Sequence, residues 1–384
     1  MTGTLARVRE LLPEIGKRAE EIEQGRGLPD ELVDGLAAAG CLRMTVPVSH
    51  GGDGAPLPDV LAVLTELAQA DGSTGWAIGQ VALSHLILSC MPATALDTIY
   101  RDGPDVYAAG AVAPKGRATA PTGDGAWKIT GRWPFVTGCQ RASWFYLNCV
   151  VVADRSVRMT AGGVPATRIV AVPAADIEIV DTWHVMGLRG TGSHDATVSH
   201  AACDPAFGFG LDSDDPATAL AVSRIAQSSL IIAAVAVGIA GGALGEIVHL
   251  ATDGKRPAFS TRRLAQSPVF QDRLGEAEVT LRAAGALLAD AAGETGHKLA
   301  SGRPLDALDR ATTRAASAGV IALAARVVDD AHAMGGGTAV YDTSPLQRRL
   351  RDIHTATQHF VAARDAYAAL GAMLVGEDGG TGPL

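Results

Sequence analysis

The chain has 384 residues, 47% of them hydrophobic and only 4% aromatic, so it is long enough for two or three packed units whose cores are mainly aliphatic. Its formal net charge is −9, and acidic and basic residues are interspersed without a long basic run, which argues against a nucleic-acid-binding surface. The five cysteines form no CxxC pair and no metal-binding spacing, which argues against a disulfide framework and predicts no metal site.

The N-terminal part, residues 1–105, is predicted to be a helical domain. Apolar residues recur at three- and four-residue steps over residues 5–24, which predicts one amphipathic helix. Proline followed by aspartate marks two further helix starts, and Ser73 is the predicted N-cap of a fourth helix that ends near Cys90. The first residues lack the apolar core and cleavage site of a signal peptide, so we expect a cytoplasmic enzyme.

The sequence changes character twice after this helical part. Residues 106–215 contain short β-rich runs between Gly, Pro and Asp, which predicts a β domain. Residues 216–375 return to helical periodicity with four long segments, and the Gly-rich residues 376–384 are predicted to be a disordered tail. Residues 225–245 carry no charge, and their Ala- and Gly-rich composition favours a buried bundle helix over a membrane span, packed within this chain or against another subunit.

Motifs spread along the chain carry a resemblance to a known family. They are DGSTGW at residues 71–76, GRWPFVTG at 131–138, WHVMGLRGTG at 183–192, and RRLRDI at 348–353 followed by QHF at 358–360. Together they resemble the two-component, reduced-flavin-dependent flavoprotein monooxygenases of the acyl-CoA dehydrogenase-fold superfamily. The resemblance extends over about residues 28–375.

The resemblance implies a mainly α fold with a central β domain: an N-terminal helical domain, a middle β-barrel or sandwich domain and a C-terminal four-helix bundle, commonly assembled as a homotetramer. It implies a monooxygenase that takes FMN or FAD, reduced and diffusible, from a partner flavin reductase. Molecular oxygen then reacts through a C4a-hydroperoxyflavin. The implied substrate is an aromatic or polyketide-like small molecule of secondary-metabolite biosynthesis, and no nucleic acid or membrane is expected as a partner.

The residues that the dehydrogenases of this family use as catalytic base are changed. The commoner glutamate position aligns with Phe360 and the alternative position lies near Ser228, and neither side chain can abstract a proton. The Thr-Glu-Pro-x-Ala-Gly-Ser-Asp signature of the family is also absent. Acyl-CoA dehydrogenation therefore loses support, and the alternatives are a dehydrogenase or flavin oxidase with a relocated base, or a redox-inactive protein of the same fold.

The resemblance assigns catalytic roles to three residues. His359 matches a pocket histidine that can donate a proton to flavin-bound oxygen, or else it is a satisfied histidine in the bundle. His85 matches a histidine that orients substrate, but its apolar helix face is equally typical of a structural histidine. Thr137 matches the Ser or Thr that contacts the flavin N5 edge.

Further residues are predicted to bind the flavin. Trp133 and Phe135 flank its ring in this interpretation, or else they alternate in a β core. Arg256 and Phe259 resemble an element that reaches a flavin phosphate, or else Arg256 is a solvent-exposed arginine. The glycine turn after residue 334 lets backbone approach the flavin. The full predicted set is Trp76, Trp133, Phe135, Thr137, Gly138, Arg256, Phe259, Gly335 and Gly336.

Overall fold

The computed structural model describes residues 2–121, 125–211 and 216–377, and it begins with a group of helices. The stretch that was expected to form one helix over residues 5–24 is divided at Arg18, whose ψ of 2° leaves helical geometry while its side chain pairs with Glu21. Asp71, rather than Ser73, is the N-cap of the fifth helix, because its carboxylate accepts from the Thr74 N–H at 2.7 Å. The helices are α1 (Thr2–Lys17), α2 (Ala19–Gly25), α3 (Asp30–Ala39), α4 (Leu57–Ala70), α5 (Gly72–Leu88) and α6 (Ala93–Ile99).

The middle of the chain forms one mixed sheet. In the described part it has eight strands in the order β6-β7-β2-β1-β3-β5-β8, with β4 added to β3. β1 and β3 run parallel, and the other described pairs are antiparallel. The strands are β1 (Ala108–Thr119), β2 (Trp127–Val136), β3 (Trp144–Ala153), β4 (Ser156–Val157), β5 (Thr167–Pro173), β6 (Glu178–Val180), β7 (His194–Cys203) and β8 (Gly208–Gly210).

The C-terminal part is helical again, so the predicted mainly α fold with a central β region is confirmed. The helices that follow the sheet are α7 (Pro216–Ala226), α8 (Ser228–Thr252), α9 (Pro268–Ala300), α10 (Ala307–Gly335), α11 (Pro345–Ala356) and α12 (Asp365–Leu374). The predicted disordered tail lies almost entirely outside the described residues, which end at 377.

Helix α8, which contains most of the uncharged stretch 225–245, lies at the centre of the chain's own packing. It contacts α4, α9, α10 and α11, and most of its side chains are buried within this one chain. Gly238 permits the approach of α4, because a Cβ at that position would lie 2.3 Å from the Thr65 carbonyl oxygen. Two stretches, 218–252 and 307–340, are long and apolar enough to cross a membrane by length and composition alone, yet 72% and 61% of their apolar windows are buried inside the molecule. They therefore pack as core helices do.

Candidate active site

The end of β2 presents an aromatic ring at the surface through a β-bulge. Trp133 pairs with Ala196 and Val136 pairs with His194, so β2 carries one extra residue at this point. Phe135 consequently has a φ of +63°, in the left-handed region that is costly for a bulky residue, and its side chain is 71% exposed. The Trp183 ring meets it edge-on, with 6.2 Å between the ring centroids. Strain and exposure at the same aromatic residue point to a ligand surface.

Three buried hydroxyl groups form a hydrogen-bonded row beginning two residues after Phe135. The Thr137 Oγ1 lies 2.7 Å from the Ser193 Oγ, which in turn lies 2.7 Å from the Thr191 Oγ1. The Thr191 hydroxyl then donates to the carbonyl oxygen of Leu188 at 2.9 Å. The motif identified Thr137, but no local signal marked Ser193 and Thr191. They reach Thr137 only because the pairing of β2 with β7 brings together residues 56 positions apart.

The residue at the end of this row is held by the C-terminal bundle. Leu188 has a φ of +50°, and its N–H donates to the Asp352 carboxylate of α11 at 2.6 Å. Its carbonyl oxygen accepts from the Trp183 indole N–H at 3.1 Å as well as from Thr191. The neighbouring Gly187 is packed so closely against α11 that a Cβ would lie 2.1 Å from the Arg351 carbonyl oxygen. The loop that carries Thr191 and Ser193 is therefore fixed from both sides.

Asp352 belongs to a buried charged cluster with Asp71 and Arg349. The Arg349 guanidinium donates to the carbonyls of residues 68–70 at the end of α4, at 3.0, 2.6 and 3.0 Å. Burial raises the pKa of both carboxyl groups, and with the added charge of Asp71 it brings the pKa of Asp352 to about 7. These are the only acids in the described part of the chain that are fully buried, and both accept hydrogen bonds inside the scaffold. Neither carboxylate is free to act as a catalytic base.

His359 lies beyond the end of the last long helix rather than on it. α11 ends at Ala356, and His359 begins a short 3-10 turn, where its Nδ1 faces the Val361 N–H at 3.4 Å. Burial lowers the pKa of His359 to about 4, so its imidazole is neutral at physiological pH. With Nδ1 turned toward a donor, the ring proton resides on Nε2, which has no hydrogen-bond partner among the described residues. The ring meets Trp76 edge-on at 5.7 Å, so the structure brings two predicted residues together.

Two of the predicted site residues are placed in the packed interior instead. Trp133 is fully buried in the β domain, where its indole packs over Gly116 and donates to the Asn148 carbonyl at 2.7 Å. The prediction that Trp133 flanks a flavin is corrected, because no face of the ring is open to a ligand. His85 is also fully buried, with Nδ1 at 2.8 Å from the Tyr100 hydroxyl and Nε2 at 2.9 Å from the Val106 carbonyl. A catalytic role for His85 would require one of these bonds to break.

Gly335 and Gly336 lie at a separate cavity of about 410 Å³, whereas the predicted residues Arg256 and Phe259 do not line it. Its walls include Lys255 and residues 257–258 and 334–338, with the Lys255 ammonium hydrogen-bonded to the Thr338 hydroxyl. Gly336 needs its lack of a side chain, since its φ is +56°. Phe259 also has a positive φ, +62°, and a fully exposed ring, while Arg256 donates to the Thr261 carbonyl at 3.3 Å.

A second cavity, of about 500 Å³, borders the hydroxyl row. Gly138, Thr191 and Gly192 form part of its wall, together with Gly25 at the end of α2 and residues 27–29 from the connection to α3. Gly138 has a φ of +67°, and a Cβ there would lie 2.4 Å from the Tyr107 hydroxyl oxygen. This cavity shares no lining residue with the first, so the predicted residues form two groups.

The two groups have the chemistry that a flavin needs. The exposed ring of Phe135, which the buried Trp183 ring meets edge-on, suits a flat ring, and the Thr137 hydroxyl suits its polar edge. Lys255 and the glycine turn at residues 335–337 supply a cation and open backbone, which suit a phosphate. Within the described residues no cluster of three or more His, Cys, Asp or Glu side chains could hold a metal ion.

Comparison with protein families finds matches for both helical parts of the chain. Residues 5–91 match the acyl-CoA dehydrogenase N-terminal domain, and residues 230–364 match the acyl-CoA dehydrogenase C-terminal domain. The chain belongs to the acyl-CoA dehydrogenase family. Its predicted membership is thereby confirmed.

Individual relatives place this family member among oxygenases. The chain is 27% identical to the indole-3-acetate monooxygenase of Pseudomonas putida, covering 94% of this chain and 90% of the relative. It is 29% identical to HsaA, the oxygenase subunit of a flavin-dependent monooxygenase from Mycobacterium tuberculosis, covering 96% and 94%. The structure of XiaF from Streptomyces, solved with FADH2 and glycerol, superimposes with a TM-score of 0.89 at 25% identity over 99% and 97% of the two chains. The chain is accordingly a flavin-dependent monooxygenase, as its motifs predicted.

Proposed function

We propose that this flavin-dependent monooxygenase hydroxylates an aromatic small molecule, using molecular oxygen and FMN or FAD that a separate reductase has reduced. The observation that carries the proposal is the similarity, over 94% of this chain, to an enzyme named for an indole substrate. The exposed Phe135 ring supports it, since this ring offers flat apolar surface to a flat molecule, and the buried Trp183 ring holds it by an edge-on contact. The enzyme and its reductase would share the cytoplasm.

The chain's own residues have distinct tasks in this proposal. Bound flavin supplies the reaction of its reduced form with oxygen. Phe135 and Trp183 hold the ring through apolar contact and exclude water from it. Thr137 holds the proton at the flavin N5 edge, and the Nε2–H of neutral His359 donates a hydrogen bond inside the pocket. Because burial lowers the pKa of His359 to about 4, the histidine can donate this hydrogen bond without bringing a charge into a dry site.

A single-turnover assay tests the proposal. The enzyme is mixed anaerobically with photoreduced FMN or FAD and a panel of phenols and indoles, and then with ¹⁸O₂. Mass spectrometry should find one ¹⁸O atom in an aromatic product and none in saturated analogues of the same size. Bleaching of the oxidised flavin–enzyme complex by an acyl-CoA would favour a dehydrogenase instead. Absence of turnover with every flavin would favour the redox-inactive alternative.

The same assay tests whether His359 acts in the reaction or only stabilises the fold. His359→Leu removes the Nε2–H donor and should lower the yield of product per reduced flavin about tenfold, the equivalent of one lost hydrogen bond. His354→Leu is the matched control, because His354 lies on the same segment but pairs with Asp329 at 2.7 Å. A product yield that is unchanged in His359→Leu would exclude His359 from the proposed role.

We also propose that the enzyme assembles as a homotetramer. Large apolar side chains are exposed near the C-terminus, and burying them against other copies of the chain would stabilise an oligomer. Light scattering on purified protein should give four times the chain mass of 39.3 kDa, and a monomer would contradict the proposal. The exposed residues include Tyr341, Phe360, Tyr367, Leu374 and Val375.

A further inference from the structure

The row of hydroxyl groups behind Thr137 has a fixed direction. Each hydroxyl has one proton to donate, whereas the carbonyl oxygen of Leu188 can only accept. The Thr191 Oγ1 lies 2.9 Å from that carbonyl, a separation at which two oxygens repel unless a proton lies between them. The Thr191 proton is therefore committed to Leu188. Thr191 must accept from Ser193, and Ser193 must accept from Thr137, at 2.7 Å each.

The consequence appears at the open end of the row. The Thr137 proton points back toward Ser193, so the Thr137 oxygen presents only lone pairs to any other partner. A threonine hydroxyl on its own can rotate and either donate or accept. Here that freedom is removed by Ser193 and Thr191.

We propose that Ser193 and Thr191 are positioning residues that make Thr137 a hydrogen-bond acceptor toward the flavin and so select its reduced form. The inference rests on the proposed contact between Thr137 and the flavin N5 edge. Reduced flavin has an N–H at N5 and can donate to an acceptor. Oxidised flavin has a lone pair at N5 and meets the lone pairs of Thr137. The site thus favours the form that a reductase delivers and releases the form that remains after turnover.

The far end of the row is anchored well enough to keep this direction. The Leu188 N–H is bound by Asp352 at 2.6 Å, and the Leu188 carbonyl also receives the Trp183 indole N–H at 3.1 Å. Thr137, Ser193 and Thr191 are all buried, so water does not compete for their protons. Reversing the row would leave the Thr191 and Leu188 oxygens in contact without a proton, in an environment that does not solvate them.

Flavin binding by four variants tests the inference. Dissociation constants for oxidised and for dithionite-reduced FMN and FAD are measured anaerobically, together with the midpoint potential of the bound flavin. Ser193→Ala and Thr191→Val free the Thr137 hydroxyl to donate. Thr191→Ser retains the terminal hydroxyl and should preserve the wild-type behaviour. Thr197→Val is the matched control, because the Thr197 hydroxyl lies on β7 and makes no hydrogen bond to the described residues.

The wild type should bind reduced flavin more tightly than oxidised flavin. Ser193→Ala and Thr191→Val should each reduce this preference about tenfold, which for a two-electron couple lowers the midpoint potential by about 30 mV. Thr191→Ser and Thr197→Val should match the wild type. If either Ser193→Ala or Thr191→Val binds flavin with the wild-type preference and potential, the inference is overturned while the monooxygenase proposal stands. If the wild type binds neither flavin, the flavin site itself is wrong, and the inference with it.

Discussion

The buried arginine of α11 offers the sharpest test of how the scaffold is held. Arg349 is 4% exposed and closes the C-terminal end of α4, where the carbonyls of residues 68–70 have no partners within their own helix. Gly242 of α8 leaves the room for it, because a Cβ there would lie 2.5 Å from the guanidinium carbon. Arg349→Met keeps an unbranched side chain of similar length and removes the donors. Three buried carbonyls then lose their hydrogen bonds, and two buried carboxylates lose a nearby cation.

The expected cost follows from these contacts. A hydrogen bond to a charged group contributes about 1.5–3 kcal/mol, so three would contribute roughly 5–9 kcal/mol. Part of this is offset, because the cation no longer has to be desolvated. Removing one member of a buried charged group costs about 3–5 kcal/mol in total. Unfolding entropy scales with chain length, so for 384 residues this corresponds to a fall of about 4–6 °C in the unfolding midpoint.

Tryptophan fluorescence during a thermal ramp at constant scan rate measures this fall. Arg348→Met is the matched control, since Arg348 is the adjacent residue of α11 and has no hydrogen bond or ion pair with the described residues. It should unfold within about 1 °C of the wild type, because Arg348 is only half-buried and its replacement breaks no hydrogen bond. The reasoning is refuted if Arg349→Met matches the wild type, or if the two arginine variants lose stability equally.

Other substitutions test single contacts. Burial raises the pKa of Asp352 from 3.8 to about 7, so the stability that its neutral form contributes is present below pH 3.8 and is lost as the pH rises through 7. Over that pH range the free energy of unfolding of Asp352→Asn, measured in urea, should rise relative to the wild type by at most about 1.4 kcal/mol per pH unit. Gly116→Ala would place a methyl group 1.9 Å from the Trp133 ring and should prevent soluble expression, whereas Gly245→Ala, with open space around it on α8, should raise the unfolding midpoint slightly. His85→Leu should lower the midpoint by several degrees while changing the affinity for reduced flavin less than twofold, because both ring nitrogens are hydrogen-bonded in the packed interior, to Tyr100 and to the Val106 carbonyl.

The fold could be predicted because its signals are local or recur in the family. Apolar periodicity located the long helices, and the alternation of short β-rich runs with Gly and Pro located the sheet. The break at Arg18 was missed, because the apolar pattern continues across it and only the backbone angle of this one residue departs from the helix. The capping of α5 by Asp71 rather than Ser73 was missed for a similar reason, since both residue types are good caps.

The site could be predicted only in part, because the side chains of a regular strand alternate between its two faces, whereas bulges and loops follow no such rule. Trp133 and Phe135 are two positions apart, and regular pleating would place them on the same face of the sheet. The bulge after Trp133 breaks that alternation, so one ring is fully buried while the other is exposed. No pattern in a single sequence announces such a bulge. His359 likewise lies outside the helix, in a turn that begins three residues after Ala356.

The motif on α11 gains a physical meaning from its two buried side chains. Arg349 and Asp352 are three residues apart and so share one face of the helix. Arg349 bonds the end of α4 in the N-terminal helical domain, and Asp352 bonds the Leu188 N–H in the loop of the β domain. One turn of helix therefore joins all three parts of the chain. Because Leu188 also terminates the hydroxyl row, a shift of α11 would move the acceptor on which the orientation of the Thr137 proton depends. The buried acids Asp71 and Asp352 thus hold a neutral, hydrogen-bonding site in place, and they are not available to abstract protons.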